Sequence, residues 1–203
     1  MSRPLFIVFE GIDGCGKSTQ LKMLCERLEA LGRKPMPTAE PTASATGKML
    51  RAALSGSDPR TAAEMAALFT LDRIHHNKAE NGIEKGLEAG FDVISDRYYY
   101  SSLAYQGSLT DYEWVRHMNC ACPEIRRPDL CIFLDIPPKA ALSRIGNRGA
   151  AKEIYEKEDT LTLFRATFLR VFGSLDDNIA VINAEGTPDE VAERVFAAVR
   201  PLL

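Results

Sequence analysis

The chain has 203 residues, 45% of them hydrophobic, and a formal net charge of −3 at pH 7. This size favours one large domain over residues 1–203, and the absence of a basic field argues against nucleic acid as a partner. Five cysteines without framework spacing argue against a disulfide scaffold, and no apolar stretch approaches the ~20 residues of a membrane span, so we expect a cytoplasmic protein with no membrane partner.

The first predicted strand, at residues 4–9, leads into a glycine-rich loop that opens the first predicted helix. Residues 11–18 read G-I-D-G-C-G-K-S and fit the pattern G-x-x-x-x-G-K-[ST] of a phosphate-binding loop, or P-loop. Glycines let successive N–H groups approach a phosphate, Lys17 can reach the β- and γ-phosphates, and Ser18 can bind Mg²⁺. The predicted nucleotide-binding residues are Gly11, Ile12, Asp13, Gly14, Cys15, Gly16, Lys17, Ser18 and Thr19.

Cys15 stands inside this loop, close to the start of the first predicted helix. The positive end of a helix stabilises a thiolate, so we expect a lowered pKa for the Cys15 thiol. The simpler interpretation is that Cys15 is a small residue that fills space.

Short apolar segments alternate with helical patterns along the rest of the chain. Further strands are predicted at 34–38, 91–95, 130–135 and 179–183. The predicted helices cover residues 17–31, 46–55, 61–89, 99–106, 111–120, 138–146, 159–173 and 188–200. This alternation is typical of the α/β class, so we predict three layers: a central parallel sheet of about five strands with helices on both faces.

The strand predicted at 91–95 is followed by Asp96 and Arg97. The carboxyl ends of neighbouring parallel strands meet at one crevice, so both side chains should face the P-loop. There Asp96 could hold Mg²⁺ and Arg97 could bind phosphate oxygens with its fork of donors. As an isolated dipeptide, Asp-Arg is more often a surface ion pair.

The region 144–158 is charged and has few apolar residues. A charge run is usually a solvated loop. In an enzyme that transfers phosphoryl groups, the same composition describes a mobile lid, and here the lid would carry Arg144 and Arg148.

Four motifs in order resemble the thymidylate kinase family. They are the P-loop with its flanks at residues 9–19, the segment Thr38–Pro41, the group Leu68, Phe69 and Arg73, and the segment 96–107. The resemblance covers about residues 4–183 and is specific, because adenylate and shikimate kinases share only the first motif. It implies a P-loop kinase fold, phosphorylation of dTMP by ATP with Mg²⁺, and a homodimer.

The resemblance also implies roles for individual residues at the acceptor site. Asp13 would accept a hydrogen bond from the sugar 3′-hydroxyl, and Arg97 would hold the dTMP phosphate in line with the γ-phosphate. Phe69 would stack on thymine and Arg73 would donate to a ring oxygen. The other implied dTMP contacts are Glu40, Pro41, Ser101, Ser102, Tyr105, Gln106 and Tyr155, with Ser102 at the thymine N3 edge and Tyr105 crowding the sugar 2′ position.

Simpler interpretations exist for three of these positions. A phenylalanine such as Phe69 on a helix is usually core, and an arginine such as Arg73 is usually solvated or paired along its helix. Ser101 and Ser102 could instead cap the helix that follows the third strand.

In some relatives a catalytic arginine lies in the P-loop, and in others it lies in the lid. The P-loop interior here has none, so we assign γ-phosphate stabilisation to the lid, with Arg148 first and Arg144 second. The predicted catalytic residues are therefore Lys17, Arg97, Arg148, Asp13 and Arg144. Ala39 and Thr42 depart from the arginine and glycine that bacterial relatives commonly have.

Two other functions are open at this stage. A deoxynucleoside kinase acting on thymidine would need a carboxylate base at the sugar 5′-hydroxyl, and a GTP-dependent switch would need N-K-x-D, to which only residues 77–80 come near. A homodimer could use the apolar stripe of Met65, Leu68, Leu71 and Ile74, although such a stripe is more often core.

Overall fold

The computed structural model describes residues 3–146 and 157–203, and a five-stranded parallel sheet forms its centre. The strands are β1 (Phe6–Glu10), β2 (Pro35–Ala39), β3 (Asp92–Asp96), β4 (Leu130–Asp135) and β5 (Ile179–Asn183). Their order across the sheet is β2-β3-β1-β4-β5. All five residues of β1 are buried, as expected for an apolar run at the centre of a parallel sheet. The predicted α/β class and parallel sheet are confirmed.

Helices cover both faces of this sheet and complete the three layers. They are α1 (Lys17–Ala30), α2 (Ala45–Leu54), α3 (Ala62–Lys78), α4 (Ile83–Glu88), α5 (Tyr99–Leu109), α6 (Tyr112–Cys120), α7 (Pro138–Gly146), α8 (Glu158–Phe172) and α9 (Pro188–Val199), followed by the 3₁₀ turn Arg200–Leu202. None of the helices in the described ranges is long and apolar enough to cross a membrane.

The single helix predicted over 61–89 is wrong, because the chain forms two helices there. Thr61 and Glu64 form a reciprocal capping box that starts α3, and α3 ends where Ala79 takes an extended conformation. The turn before α4 brings Gly82 so close to the carbonyl of His76 that a Cβ atom would lie 2.3 Å from that oxygen. An otherwise helical pattern is therefore broken by a close backbone approach that only glycine allows.

The strand register brings three connections to one edge of the sheet. Phe9 of β1 and Ala39 of β2 both pair with Asp96 of β3, so these strands end at the same level. The P-loop after β1, the β3–α5 connection at Arg97 and the loop after β2 at Glu40 consequently lie side by side. This edge is where parallel α/β proteins bind ligands.

Candidate active site

The P-loop wraps around the amino end of α1 and holds Lys17 close to its own backbone. Lys17 Nζ lies 3.0 Å from the carbonyl oxygen of Gly11 and 3.3 Å from that of Ile12. Gly14 has φ +82°, and a Cβ there would lie 2.4 Å from the carbonyl oxygen of Ala141 on α7. Glycine is thus required at this position both by the backbone conformation and by the approach of α7.

The expectation of a lowered pKa for Cys15 is wrong. The Cys15 side chain is 1% exposed, and this burial raises the pKa of the thiol, with Lys17 and Arg97 opposing the increase only in part. Removal from water outweighs the helix terminus because a thiolate here would lose its hydration. The geometry agrees with the interpretation of Cys15 as a small filler.

Ser18 and Asp96 lie next to each other across the crevice. Ser18 Oγ donates a hydrogen bond to Asp96 Oδ2 at 3.2 Å. Asp96 Oδ1 is buried and accepts no hydrogen bond from the residues that the structure describes. A carboxylate oxygen that accepts no hydrogen bond and a neighbouring hydroxyl oxygen are the hard ligands that Mg²⁺ prefers. The residues present therefore fit Mg²⁺.

The Arg97 guanidinium faces the P-loop. It forms an ion pair with the Asp13 carboxylate, while Nη1 donates to Ser101 Oγ at 3.1 Å and to the Tyr105 hydroxyl at 3.4 Å. Burial alone would lower the pKa of Arg97, but Asp13 and other nearby groups hold it well above its usual value. The group is therefore a permanent cation whose donors converge on the space in front of the P-loop.

Arg97 also has an unusual backbone. Its φ is +71°, a region that residues with a Cβ atom rarely adopt. The Arg97 N–H donates to the Phe9 carbonyl at 2.9 Å, and Ser95 Oγ donates to the Arg97 carbonyl at 2.8 Å. Backbone strain at a single residue beside a ligand crevice is common at functional sites.

Glu10 was not among the predicted site residues, although it ends β1 directly before the P-loop. Its fully buried carboxylate accepts from the backbone N–H groups of Tyr98 and Ser101 at 2.9 and 3.0 Å, and from Ser101 Oγ at 2.7 Å. Burial raises the pKa of Glu10, whereas Arg97 and these donors lower it in part. A charged residue in a buried strand is uncommon. The position of Glu10 directly after the apolar residues 5–9 was therefore the signal that could have identified it.

The interpretation of Ser101 and Ser102 as helix caps is wrong. Helix α5 begins after its N-cap residue Tyr98, so both serines lie inside the helix and not at the capping position. Ser101 lies within the first turn, where its own N–H is satisfied by Glu10. Ser102 is fully buried and its hydroxyl accepts from Arg73 Nη1 at 3.2 Å.

Arg73 on α3 is buried in an ion pair, so the interpretation of a solvated arginine is wrong. Its Nε and Nη2 donate to Glu40 Oε2 at 3.0 and 2.6 Å, and Nη1 also donates to the side chain of Asn119. Glu40 Oε1 lies 3.1 Å from His76 Nδ1. Sequence reasoning missed His76 and Asn119, for which a single chain offers no local pattern. This network fixes the Arg73 guanidinium beside Ser102.

Asp72 holds the loop between β2 and α2. Its Oδ1 accepts from the hydroxyls of Thr42, Ser44 and Thr46 at 2.6 to 2.7 Å, and its Oδ2 accepts from the Thr42 N–H at 2.7 Å. Burial alone would raise the pKa of Asp72, but these hydrogen bonds outweigh it and hold the pKa below its usual range. Thr42, a departure from the family pattern, therefore has a structural task here.

The other predicted dTMP contacts among the described residues lie on α3, on α5 and in the loop after β2. Phe69 is half-buried and packs with Leu50, Ala53 and Met65 in a small apolar cluster between α2 and α3. Tyr105 and Gln106 are buried on α5, and Pro41 is half-buried next to Glu40.

Only part of the predicted lid can be described. Arg144, near the end of α7, donates to the carbonyl oxygens of Cys15 at 3.2 Å and Ala184 at 3.0 Å, so it lies beside the P-loop. Arg148 and Tyr155 lie outside the described residues. Of the apolar stripe on α3, Met65 is buried, Leu68 and Ile74 are partly buried, and Leu71 is 51% exposed.

Comparisons with known proteins agree with one another. The family model described as Thymidylate kinase matches residues 9–195. The chain is 38% identical over 205 residues to a probable thymidylate kinase of Pyrococcus horikoshii, covering 98% of this chain and 97% of the relative. It is 36% identical over 211 residues to a thymidylate kinase of Desulfovibrio desulfuricans, covering 98% and 96%.

Proposed function

The chain belongs to the thymidylate kinase family, and from that premise we propose that it transfers the γ-phosphoryl group of ATP to dTMP, giving dTDP and ADP. One observation carries the proposal: the Arg97 guanidinium lies against Asp13 of the P-loop. A cation that faces a P-loop from the neighbouring strand is placed to hold a second phosphate next to the first. Phosphoryl transfer depends mainly on such positioning and on charge stabilisation.

On the donor side, the P-loop N–H groups and Lys17 would bind the ATP phosphates. Ser18 and Asp96 would hold Mg²⁺, which when bound neutralises charge on the β- and γ-phosphates. Lid arginines would stabilise the transferring group, with Arg148 as the first candidate. Arg144 is tied to two carbonyl groups beside the P-loop, which favours it for binding the nucleotide rather than for moving with the reaction.

On the acceptor side, Arg97 would bind the dTMP phosphate, and Asp13 would accept from the sugar 3′-hydroxyl. An acid inside a phosphate-binding loop is electrostatically costly, and its ion pair with Arg97 compensates part of that cost. Tyr105, whose hydroxyl lies 3.4 Å from Arg97 Nη1, would limit the space at the sugar 2′ position. No strong base is needed, because the attacking phosphate oxygen is anionic near neutral pH.

The base pocket would be formed by Phe69, Arg73, Ser102 and Gln106, with Glu40, Pro41 and Ser101 around it and Tyr155 from the lid. Arg73 is held by Glu40 and Asn119 before any base arrives, so little side-chain entropy remains to be lost on binding. Such preorganisation favours a planar base that accepts a hydrogen bond at a fixed point.

The proposal is tested by a coupled ADP-release assay with ATP and a panel of nucleoside monophosphates and thymidine. We expect dTMP to have the highest kcat/KM, and dUMP, which lacks one methyl group, to be about 10–200-fold lower. A higher kcat/KM for thymidine than for dTMP would identify a nucleoside kinase instead. The arrangement of Glu10 opposes that outcome, because both of its oxygens already accept hydrogen bonds from α5.

We also propose a homodimer that uses the exposed part of the α3 stripe. Leu71 on α3 is 51% exposed, and Met49 on α2, which packs against α3, is 41% exposed, so this part of the surface offers apolar side chains to a second copy. Sedimentation of the wild-type chain should give twice the monomer mass of 22.4 kDa. Leu71→Glu should shift it toward monomer, and a dimer unaffected by that change would place the interface elsewhere.

A further inference from the structure

Glu10 connects the two phosphate-binding segments of the site. It is the last residue of β1, so its backbone leads directly into the P-loop at Gly11. Its side chain turns the other way and binds the first turn of α5, at Tyr98 and Ser101. One residue therefore joins the loop proposed for ATP to the connection that carries Arg97.

The carboxylate also determines how the Ser101 hydroxyl is oriented. Ser101 Oγ donates its proton to Glu10 Oε2 at 2.7 Å, so its lone pairs are left to accept from Arg97 Nη1 at 3.1 Å. A hydroxyl has a single proton, and committing that proton to Glu10 turns Ser101 into an acceptor for the guanidinium. Arg97 is then held through Nη1 by Ser101 and the Tyr105 hydroxyl, and through Nη2 by Asp13.

The backbone around Arg97 is tied to the same strand. The Arg97 N–H donates to Phe9 and the following N–H, of Tyr98, donates to Glu10. These two bonds flank the φ of +71° that directs the Arg97 side chain toward the P-loop. A strained conformation persists only where its surroundings hold it, and here β1 supplies both bonds.

We propose that Glu10 is a positioning residue, which orients Arg97 toward the acceptor phosphate through the Ser101 hydroxyl. The inference rests on the proposed function, in which Arg97 binds the phosphate of dTMP. Glu10 itself touches neither substrate. Its effect is to fix the distance between the donor and acceptor phosphates, because both depend on β1.

The test compares the affinity for dTMP with that for thymidine, which has the same base and sugar but no phosphate. Isothermal titration gives both dissociation constants for wild type, Glu10→Gln, Ser101→Ala and Arg97→Ala. Glutamine keeps the shape of Glu10 but places an amide N–H₂ group where an oxygen accepted, so the Ser101 hydroxyl loses its acceptor. Ser108→Ala on the same helix is the matched control, since the Ser108 hydroxyl bonds only to Ala104 within α5 among the described residues.

We expect Glu10→Gln to reduce the preference for dTMP over thymidine by about tenfold or more, the range for hydrogen bonds to charged groups. The dissociation constant for thymidine should change much less than that for dTMP, because thymidine has no phosphate for Arg97 to bind. Ser101→Ala should reduce the preference in the same direction, and Ser108→Ala should leave it unchanged. A loss of stability alone would weaken both ligands equally and leave their ratio intact.

Each outcome separates this inference from the proposed function. If Arg97→Ala leaves the preference for dTMP unchanged, the proposed role of Arg97 fails and this inference fails with it. If Arg97→Ala reduces the preference while Ser101→Ala and Glu10→Gln do not, only the positioning role is overturned. Should Glu10→Gln not fold, Ser101→Ala decides the matter, because it removes the hydroxyl that joins Glu10 to Arg97.

Discussion

Two connections at the crevice are each held by a buried carboxylate, and they are held differently. Glu10 binds the β3–α5 connection mainly through backbone N–H groups, whereas Asp72 binds the β2–α2 loop mainly through the hydroxyls of Thr42, Ser44 and Thr46. The pKa of Glu10 is raised by burial, and that of Asp72 is lowered by its hydrogen bonds. Burial raises the pKa of both carboxylates, and only for Asp72, which accepts four hydrogen bonds against three for Glu10, do the hydrogen bonds outweigh it. A buried carboxylate therefore stabilises a loop as an anion only where its hydrogen bonds outweigh the cost of its burial.

The largest expected effect concerns the ion pair at the start of the β2–α2 loop. Arg73→Met should leave Glu40 as a buried charge without its main partner, and cost about 3–5 kcal/mol of unfolding free energy. Urea denaturation followed by circular dichroism measures this loss. The double variant Arg73→Met/Glu40→Gln should recover most of it, and a single variant that loses less than about 1 kcal/mol would contradict the buried pair.

Removing the charge of Asp72 should have a smaller effect on the same loop. Asp72→Asn replaces one acceptor oxygen by a donor and leaves buried hydroxyl or N–H donors without a partner, at about 1–3 kcal/mol. Thr42→Val, which deletes a single donor, should cost about 1 kcal/mol. Equal stabilities of wild type and Asp72→Asn would show that these hydroxyls bond equally well to water.

The smallest effect is the dependence of stability on pH, and its sign should differ between the two carboxylates. Asp72 has a folded pKa below its usual 3.8, so its contribution is present above pH 3.8 and is lost as the pH falls through the folded value. Glu10 has a folded pKa above 4.5, so its contribution is present below pH 4.5 and is lost as the pH rises through the folded value.

Unfolding free energies measured from pH 2 to 8 distinguish these cases, at about 1.4 kcal/mol for each unit by which the pKa is displaced. The Arg97 guanidinium, which faces Glu10 and has a pKa well above its usual value, remains charged throughout this range. Glu10→Gln should therefore gain stability relative to wild type as the pH rises above 4.5. A constant difference would contradict the raised pKa of Glu10.

Much of the fold was predictable from sequence because it follows local patterns. Apolar runs predicted every strand to within two residues, and the P-loop pattern fixed where α1 begins. The break between α3 and α4 was missed because it depends on the close approach of Gly82 to His76. That contact exists only once the chain has turned.

The candidate site also has residues that local patterns predict and residues that depend on distant contacts. Arg97 and Asp96 were predictable because they follow a strand, and strand ends converge in a parallel sheet. His76 and Asn119 were not, because their partners are distant in sequence. The charge of Glu10 beside an apolar run was a signal that it matters, but its role could not be predicted, because its partners are mostly backbone groups that leave no trace in the residue pattern. The hydroxyl residues at positions 42, 44 and 46 are visible as a pattern in the sequence. Their common acceptor could not be predicted, because Asp72 lies on α3.

The proposed transfer to dTMP depends most on Arg97 binding the acceptor phosphate, and one kinetic measurement tests this role directly. Steady-state kcat and KM for dTMP are measured with wild type and Arg97→Lys, a variant that keeps the charge but loses the fork of donors. We expect kcat/KM for dTMP to fall about 100-fold or more, with a much smaller change in KM for ATP. Unchanged dTMP kinetics in this variant would contradict the account.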